Sequence, residues 1–335
     1  MRTRHTPISK FLVFFLALAI PVIAQGSISS EALAASKAEY PTKPISMVVP
    51  FQAGGGTDVV ARMIASAMEP FLGNKIIIVN KPGGAGIVGI QEVAVAKPDG
   101  YTLLFTTGTP IIQTYMTKKR IDYKKFHLLG MVNKDSFTLV VPQKAKWATY
   151  EEFVKDAKAN PGKIRISHPG VGTTQHLVLP MIEQPSGIKF QYVPFAGNAP
   201  AHVALLGGHI EAALTMVGDV SALVKSGEVR MLAISGESRW KEYPDVPTFK
   251  EKIGVDVGIS HWRGIWAVKE IPEPVLLTLE DAILKAANSQ GYKDVMNKGG
   301  YTPDNLVGRA KIQARLEKED KSIKEALRNL KMLEE

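Results

Sequence analysis

The chain has 335 residues, of which 45% are apolar and 22% charged, the balance of a water-soluble globular protein with room for two domains. It has no cysteine, which excludes disulfides, thiolate metal sites and a lipidated N-terminal cysteine. The net charge of +9 is scattered rather than blocked, and it comes with only 7% aromatic residues and no basic helix or stacking motif, so nucleic acid is excluded as a partner while anions are attracted.

Residues 1–24 read as a signal peptide. Arg2, Arg4 and Lys10 form a positive start, and Phe11–Ile20 is an apolar run of ten residues. A run of this length is too short to cross a bilayer of about 30 Å but suits the apolar region of an export signal. Cleavage is expected after Ala24, or later near Ala34; removal takes three of the positive charges and leaves +6. Residues 25–39 are small and polar without periodicity and read as a flexible start of the mature chain. No later run of about 18 apolar residues follows, so the mature chain is expected to be a soluble periplasmic protein.

Order begins near Pro44. Ile45–Phe51 is a short apolar strand running into Gly54-Gly55-Gly56-Thr57-Asp58, after which Val59, Val60, Met63, Ile64, Ala67, Met68 and Phe71 recur at helical spacing. Lys75–Val79 is a second strand, followed by the turn Pro82–Gly86 and a helix to Ala96. Thr102–Thr106 is a third strand, ending in Thr107-Gly108-Thr109, and Phe137–Val141 is another. A second series opens with a helix over Thr149–Ala159. The strand Ile164–Ser167 leads through Gly170-Val171-Gly172-Thr173-Thr174 into a helix. Phe190–Val193 leads through Phe195-Ala196-Gly197-Asn198 into a helix that ends at Leu206. Strands follow at Ile210–Thr215 and Val229–Ile234, with a helix to Ser226 between them. Beyond Val257 come a strand, Gly264–Val268, and helices over Pro274–Ala287, Tyr292–Lys298 and Asp304–Leu330. The alternation predicts an α/β fold with parallel sheets and ligands near the C-terminal ends of strands.

Four of the strand-to-helix loops are rich in glycine or hydroxyls. A helix start carries unpaired N–H groups and partial positive charge, and glycine lets a ligand approach the backbone. Such a loop is also ordinary turn geometry, so the reading rests on the recurrence of four of them in two series. A cleft lined from both sides by these loops suits a carboxylate.

Other chemistries lack their motifs. There is no G-x-x-x-x-G-K-[ST], and Gly54-Gly55-Gly56 has Val59 where a dinucleotide fingerprint has its third glycine. No G-x-S-x-G elbow is present. Five of the seven histidines, His168, His176, His202, His209 and His261, fall in the second half without metal-ligand spacing. No cofactor and no metal are expected. Asp58 reads as a helix-start cap or as a base.

The ordered set Tyr40–Ile45, Val49-Pro50-Phe51, Gly54–Asp58, Asn80–Gly84, Lys97–Leu104, Asn160–Lys163, Gly170–Leu177, Pro194–Ala201, Leu206-Gly207-Gly208, Gly227–Arg230, Asp245–Thr248 and Trp262-Arg263-Gly264 resembles the Bug receptors, the substrate-binding subunits of tripartite tricarboxylate transporters. The resemblance covers residues 40–330. It implies the two-domain type II periplasmic-binding-protein (Venus flytrap) fold with mixed, mainly parallel sheets. Residues 40–141 plus 262–335 are expected to form one domain and residues 142–261 the other. It implies capture without catalysis and membrane transporter subunits as partners; a monomer is expected. The implied ligand is a di- or tricarboxylate, an acidic amino acid or an aromatic acid, held by backbone N–H groups, hydroxyls and water rather than by arginine.

Carried onto this chain, the contacts fall at Gly54, Gly55, Gly56, Thr57, Asp58, Thr107 and Gly108 in the first domain. In the second they fall at Gly170, Gly172, Thr173, Thr174, Phe195, Gly197 and Asn198. Two departures bear on the ligand. His168 stands where many relatives have a small hydroxyl residue, and Thr215-Met216 where many have Asp-Asn. His168 either reads the distal end of the ligand or packs behind its loop; Thr215 is placed at the same end. Trp262 lines the cleft near the hinge or belongs to the core. Two other functions stay open: a sensor that engages a signalling partner, and an enzyme on the same fold with Asp58 or His168 as its base.

Overall fold

The computed structural model describes residues 40–117, 120–255, 257 and 261–333. The expected signal segment 1–24 and the stretch 25–39 lie outside the described residues.

The first strand, β1 (Ile45–Val49), is buried along nearly its whole length, as a strand covered on both faces must be. A glycine loop leads into α1 (Gly56–Leu72), whose buried Val60, Ala61, Ile64, Ala65, Met68 and Leu72 form one stripe at helical spacing. The helix stops at Gly73, whose left-handed backbone (φ 67°) lets its N–H return to the Glu69 carbonyl. The same unit recurs as β2 (Ile76–Asn80), α2 (Ile87–Ala94), β3 (Thr102–Thr106) and α3 (Thr109–Met116). Then β4 (Phe126–Asp135) runs for ten residues, and only Ser136 separates it from β5 (Phe137–Pro142).

The chain continues through α4 (Tyr150–Ala159), β6 (Arg165–His168), α5 (Thr174–Ser186), β7 (Gln191–Pro194), α6 (Asn198–Leu206), β8 (Ala212–Met216), α7 (Val217–Lys225), β9 (Val229–Ile234) and the short α8 (Phe249–Ile253). It closes with β10 (His261–Val268), α9 (Glu273–Asn288), α10 (Gln290–Lys298), β11 (Pro303–Val307) and α11 (Arg309–Asn329). One sheet has the order β11-β4-β10-β3-β1-β2 and the other β7-β6-β8-β5-β9. Each sheet with its helices is a lobe, the first carrying the six-stranded sheet and the second the five-stranded one.

The two mixed sheets and the α/β alternation agree with the expected fold, with three corrections of detail. Among the described residues, four of nine strand pairings are parallel and five antiparallel, so the sheets are not mainly parallel. Four of the five antiparallel pairs involve β5 or β10, the strands that enter each sheet from the other lobe; the fifth joins the edge strand β11 to β4. Second, Phe137–Pro142 pairs with β8 and β9 inside the five-stranded sheet, not in the domain assigned to it from sequence, and His261 opens a strand of the six-stranded one. An apolar strand reads alike in either sheet, and one intervening residue leaves no linker signal. Third, 303–307 is an edge strand rather than the start of a helix; its sequence is polar because one side has no partner strand.

Candidate functional site

The loops after β1, β3, β6 and β7 meet between the two lobes. They carry the starts of α1, α3, α5 and α6, so four helix N-termini converge there. Each start presents N–H groups without intrahelical partners and a partial positive charge. Gly55, Gly56, Thr57, Thr107 and Thr109 of the first lobe face Thr173, Gln175, Gly197 and Asn198 of the second, and His261 and Arg263 of β10 complete the lining.

The inner space is about 20 Å³, room for about one water molecule. A wider cavity of about 570 Å³ shares Phe51 and Pro169 with it and is otherwise bounded by the Gly83–Ile87 turn, α3 and the loops holding Gly170 and Phe195. The lobes are drawn together by direct bonds. The Gln52 N–H donates to the Ala196 carbonyl at 3.2 Å and Gln113 Nε2 to the Val171 carbonyl at 3.0 Å, and the Thr174 hydroxyl lies 3.2 Å from His261 Nδ1.

The charged link is the most deeply buried. Arg263, 1% exposed, donates from Nη2 to Asp219 Oδ1 of α7 at 2.8 Å and from Nη1 to Asn133 Oδ1 at 2.6 Å, with Asp135 Oδ2 at 3.5 Å. Asp219 Oδ2 accepts from Asn198 Nδ2 at 2.7 Å, and Asn198 Oδ1 accepts from Gln175 Nε2 at 3.1 Å. One polar chain therefore runs from α5 of the second lobe to β4 of the first. Burial works against the Arg263 charge, but Asp219 and Asp135 outweigh it and hold the guanidinium protonated. Burial pushes the Asp135 carboxyl up to about 7, with Arg263 pulling down and Asp219 adding to the rise. His261 is kept neutral, its pKa held well below the usual range by burial and then by Arg263. Arg263 Nε and His261 Nε2 are buried without a protein partner.

Of the residues expected to touch a ligand, Gly55, Gly56, Thr57, Thr107, Thr173, Gly197 and Asn198 line the inner space, and Gly170 and Phe195 line the wider cavity. Gly54, Asp58, Gly108, His168, Gly172, Thr174, Thr215 and Trp262 line neither. Asp58 braces the loop: burial raises its pKa, but bonds from Arg62, the Gly54 N–H and Asn80 outweigh this and hold it below the ordinary value. His168 packs behind its loop, where Nδ1 accepts the Gly170 N–H at 3.2 Å. Thr215 bonds His202 Nε2 at 3.0 Å. Trp262 is core, donating to Glu319 at 3.2 Å and packing on Trp266. Neither candidate base of the enzyme reading, Asp58 or His168, is on the cleft surface.

Arg263, His261, Asp219, Gln52, Gln175 and Thr109 are residues in or beside the lining that sequence reasoning missed, Arg263 being the notable one. Its signal was an arginine inside the apolar strand His261–Val268, where a charge has to find a partner. Among the described residues no group of three or more His, Cys, Asp or Glu is placed to hold a metal, and no helix is long and apolar enough to cross a membrane.

The histidines behind the second-lobe loop make a pH prediction. The rings of His168 and His176 lie 4.9 Å apart, and burial, then the neighbouring His168, pushes His176 from 6.5 down to about 4. The unfolded chain therefore takes up this proton first, and stability falls as pH drops from about 6.5 towards about 4. Replacing His176 by Gln is expected to flatten that decline in urea unfolding between about pH 7 and about pH 4.5. An unaltered slope would show that His176 titrates alike in both states.

A model of the tripartite tricarboxylate transporter family receptor matches residues 60–328. The UPF0065 protein in the gbd 5′ region of Cupriavidus necator is 33% identical over 295 residues, 86% of this chain and 89% of that protein. Protein BugT of Bordetella pertussis is 31% identical over 268 residues, covering 79% and 82% of the two chains. The solved periplasmic binding protein BugD superposes with a TM-score of 0.84 at 28% identity, covering 88% of this chain and all of that one. Two structures share the fold at lower identity: MatC from Rhodopseudomonas palustris with bound malate (24%, TM-score 0.79, 86% and 100% covered) and R. palustris Rpa4515 with adipate (23%, TM-score 0.80, 86% and 97% covered). With its two lobes, its loop-lined cleft and these matches along most of its length, the chain belongs to the receptor family of tripartite tricarboxylate transporters.

Proposed function

We propose that this protein is a periplasmic receptor that captures a small carboxylate between its lobes and presents it to the membrane subunits of a tripartite tricarboxylate-type transporter. The observation that carries this reading is the convergence of four helix N-termini with the Arg263 side chain in one cleft. Such a cleft stabilises a carboxylate through fixed donors. The malate- and adipate-bound proteins of the same fold support the same ligand chemistry. Both halves of the cleft come from one chain, so a monomer suffices for capture. The hinge of our reading lies at Ser136 and at the return into β10, and it divides the lobes there. The inner space holds only about one water, so a ligand enters when the lobes part and is sequestered when they close.

A thermal-shift screen of the mature chain against carboxylates tests this. A ligand at about 100 times its dissociation constant adds about 2.7 kcal/mol of stability, a readily seen rise in Tm. A clear rise with at least one carboxylate is expected. No rise with any member of a broad panel, and no acid released from the denatured protein in mass spectrometry, would overturn the carboxylate reading.

A further inference from the structure

We propose that Asp219 fills one of the anion positions in the cleft, so that this receptor selects acids with a single ionised carboxylate and an apolar body. This rests on the carboxylate reading above and narrows it. Arg263 is the one positively charged side chain in the lining of the inner space, and Asp219 already holds it at 2.8 Å. The same carboxylate lies against the first turn of α1: a Cβ added at Gly56 would overlap Asp219 and sit 2.6 Å from Arg263 Nη2. The guanidinium and the α1 start thus both lie against a carboxylate of the protein itself. Asn198 fixes the second oxygen of Asp219 at 2.7 Å. Asp219 and Arg263 are both 1% exposed in their side chains, so this is a built position and not a surface pair.

A ligand carboxylate is left with the starts of α3, α5 and α6. A second ionised carboxylate has two places to go. At Asp219 it would meet a like charge in a desolvated site. Among the described residues that line the wider cavity of about 570 Å³ none is charged, and Phe51, Ile87, Met116, Val171 and Phe195 give it an apolar character. That cavity accepts a hydrocarbon body and, among the described residues, offers a second carboxylate no cation.

The matched pair hexanoate and adipate differs only in the second carboxylate. In titration calorimetry the parent protein is expected to bind hexanoate at least about tenfold more tightly than adipate. Asp219→Ala vacates the position and is expected to raise adipate affinity by at least about tenfold, narrowing or reversing the preference. Adipate bound as tightly as hexanoate by the parent protein would overturn the inference and leave the carboxylate reading intact; that comparison needs no variant to fold. An Asp219→Ala protein that folds, by circular dichroism, with an unchanged preference would overturn the role of Asp219. Failure of every carboxylate to bind would overturn both readings together.

Discussion

Gly56→Ala is expected to weaken ligand capture by about 100-fold or more, whereas Gly55→Ala leaves it within about threefold of the parent protein. Both belong to one glycine triplet at the start of α1, and their surroundings differ. At Gly55 an added Cβ finds its nearest neighbours, the Ala199 N and the Gln52 carbonyl oxygen, at 3.7 Å, an ordinary contact. At Gly56 it would overlap Asp219 and crowd Arg263. Overpacking a tight site costs about 1–3 kcal/mol, and here the displaced atoms are a buried ion pair that joins the lobes. The overlap with Asp219, the closer of the two and the one from the other lobe, exists only when the lobes are closed. Affinity should therefore collapse while the unfolding free energy changes little. Calorimetric titration of the two variants with the ligand found by screening checks this; equal affinities would mean that the pair does not set closure.

Arg263→Met carries the second large effect, on stability. The substitution keeps the bulk of the side chain but leaves Asp219 and Asp135 buried without their cation. Breaking a buried pair in this way costs about 3–5 kcal/mol, because the surviving charges remain desolvated. Asp135 has a pKa raised to about 7 even beside Arg263, so without the guanidinium it will take up a proton more readily. The loss should accordingly be larger at about pH 8 than at about pH 5.5, where protonation relieves the repulsion. Urea unfolding of parent and variant at both values is the measurement. A loss under about 1 kcal/mol at the higher pH would show that water or rearrangement satisfies the two carboxylates.

The two results bear on how much could be read from the sequence. The βα units were legible because each announces itself locally: an apolar strand such as Ile45–Val49, a glycine turn, then a stripe at helical spacing from Val60 to Leu72. Seven glycine, hydroxyl or amide residues of the inner lining were legible for the same reason, since strand-to-helix loops place their contents at strand ends. What failed were features fixed by distant partners. Ser136 separates strands of different sheets without any change in composition, so the boundary was misplaced. The edge strand at 303–307 has too little apolar pattern to be told from a helix start. Asp219 sits on an unremarkable helix between Val217 and Val220, and its importance comes wholly from Arg263, 44 residues later. His168 was the opposite case. It occupies a loop-adjacent position that looks like a ligand contact, yet its ring turns back to accept the Gly170 N–H.

Gly56, Asp219 and Arg263 describe one device. A helix start and a guanidinium of one lobe meet a carboxylate of the other, and on the proposed function a ligand carboxylate would take the donors that remain. The closed arrangement leaves about 20 Å³ at the polar end of the cleft, so the ligand cannot enter without separation of the lobes.

Capture by closure is tested most directly by the distance between the lobes. The chain has no cysteine, so two introduced thiols can be labelled without background. Val95 of the first lobe and Val203 of the second are 85% and 72% exposed and carry no packing role. Spin labels at these positions, followed by pulsed dipolar spectroscopy with and without the carboxylate found by screening, report the distribution directly. A distribution that narrows to one distance when the ligand saturates the protein is the predicted result. Identical distributions with and without bound ligand would contradict capture by closure.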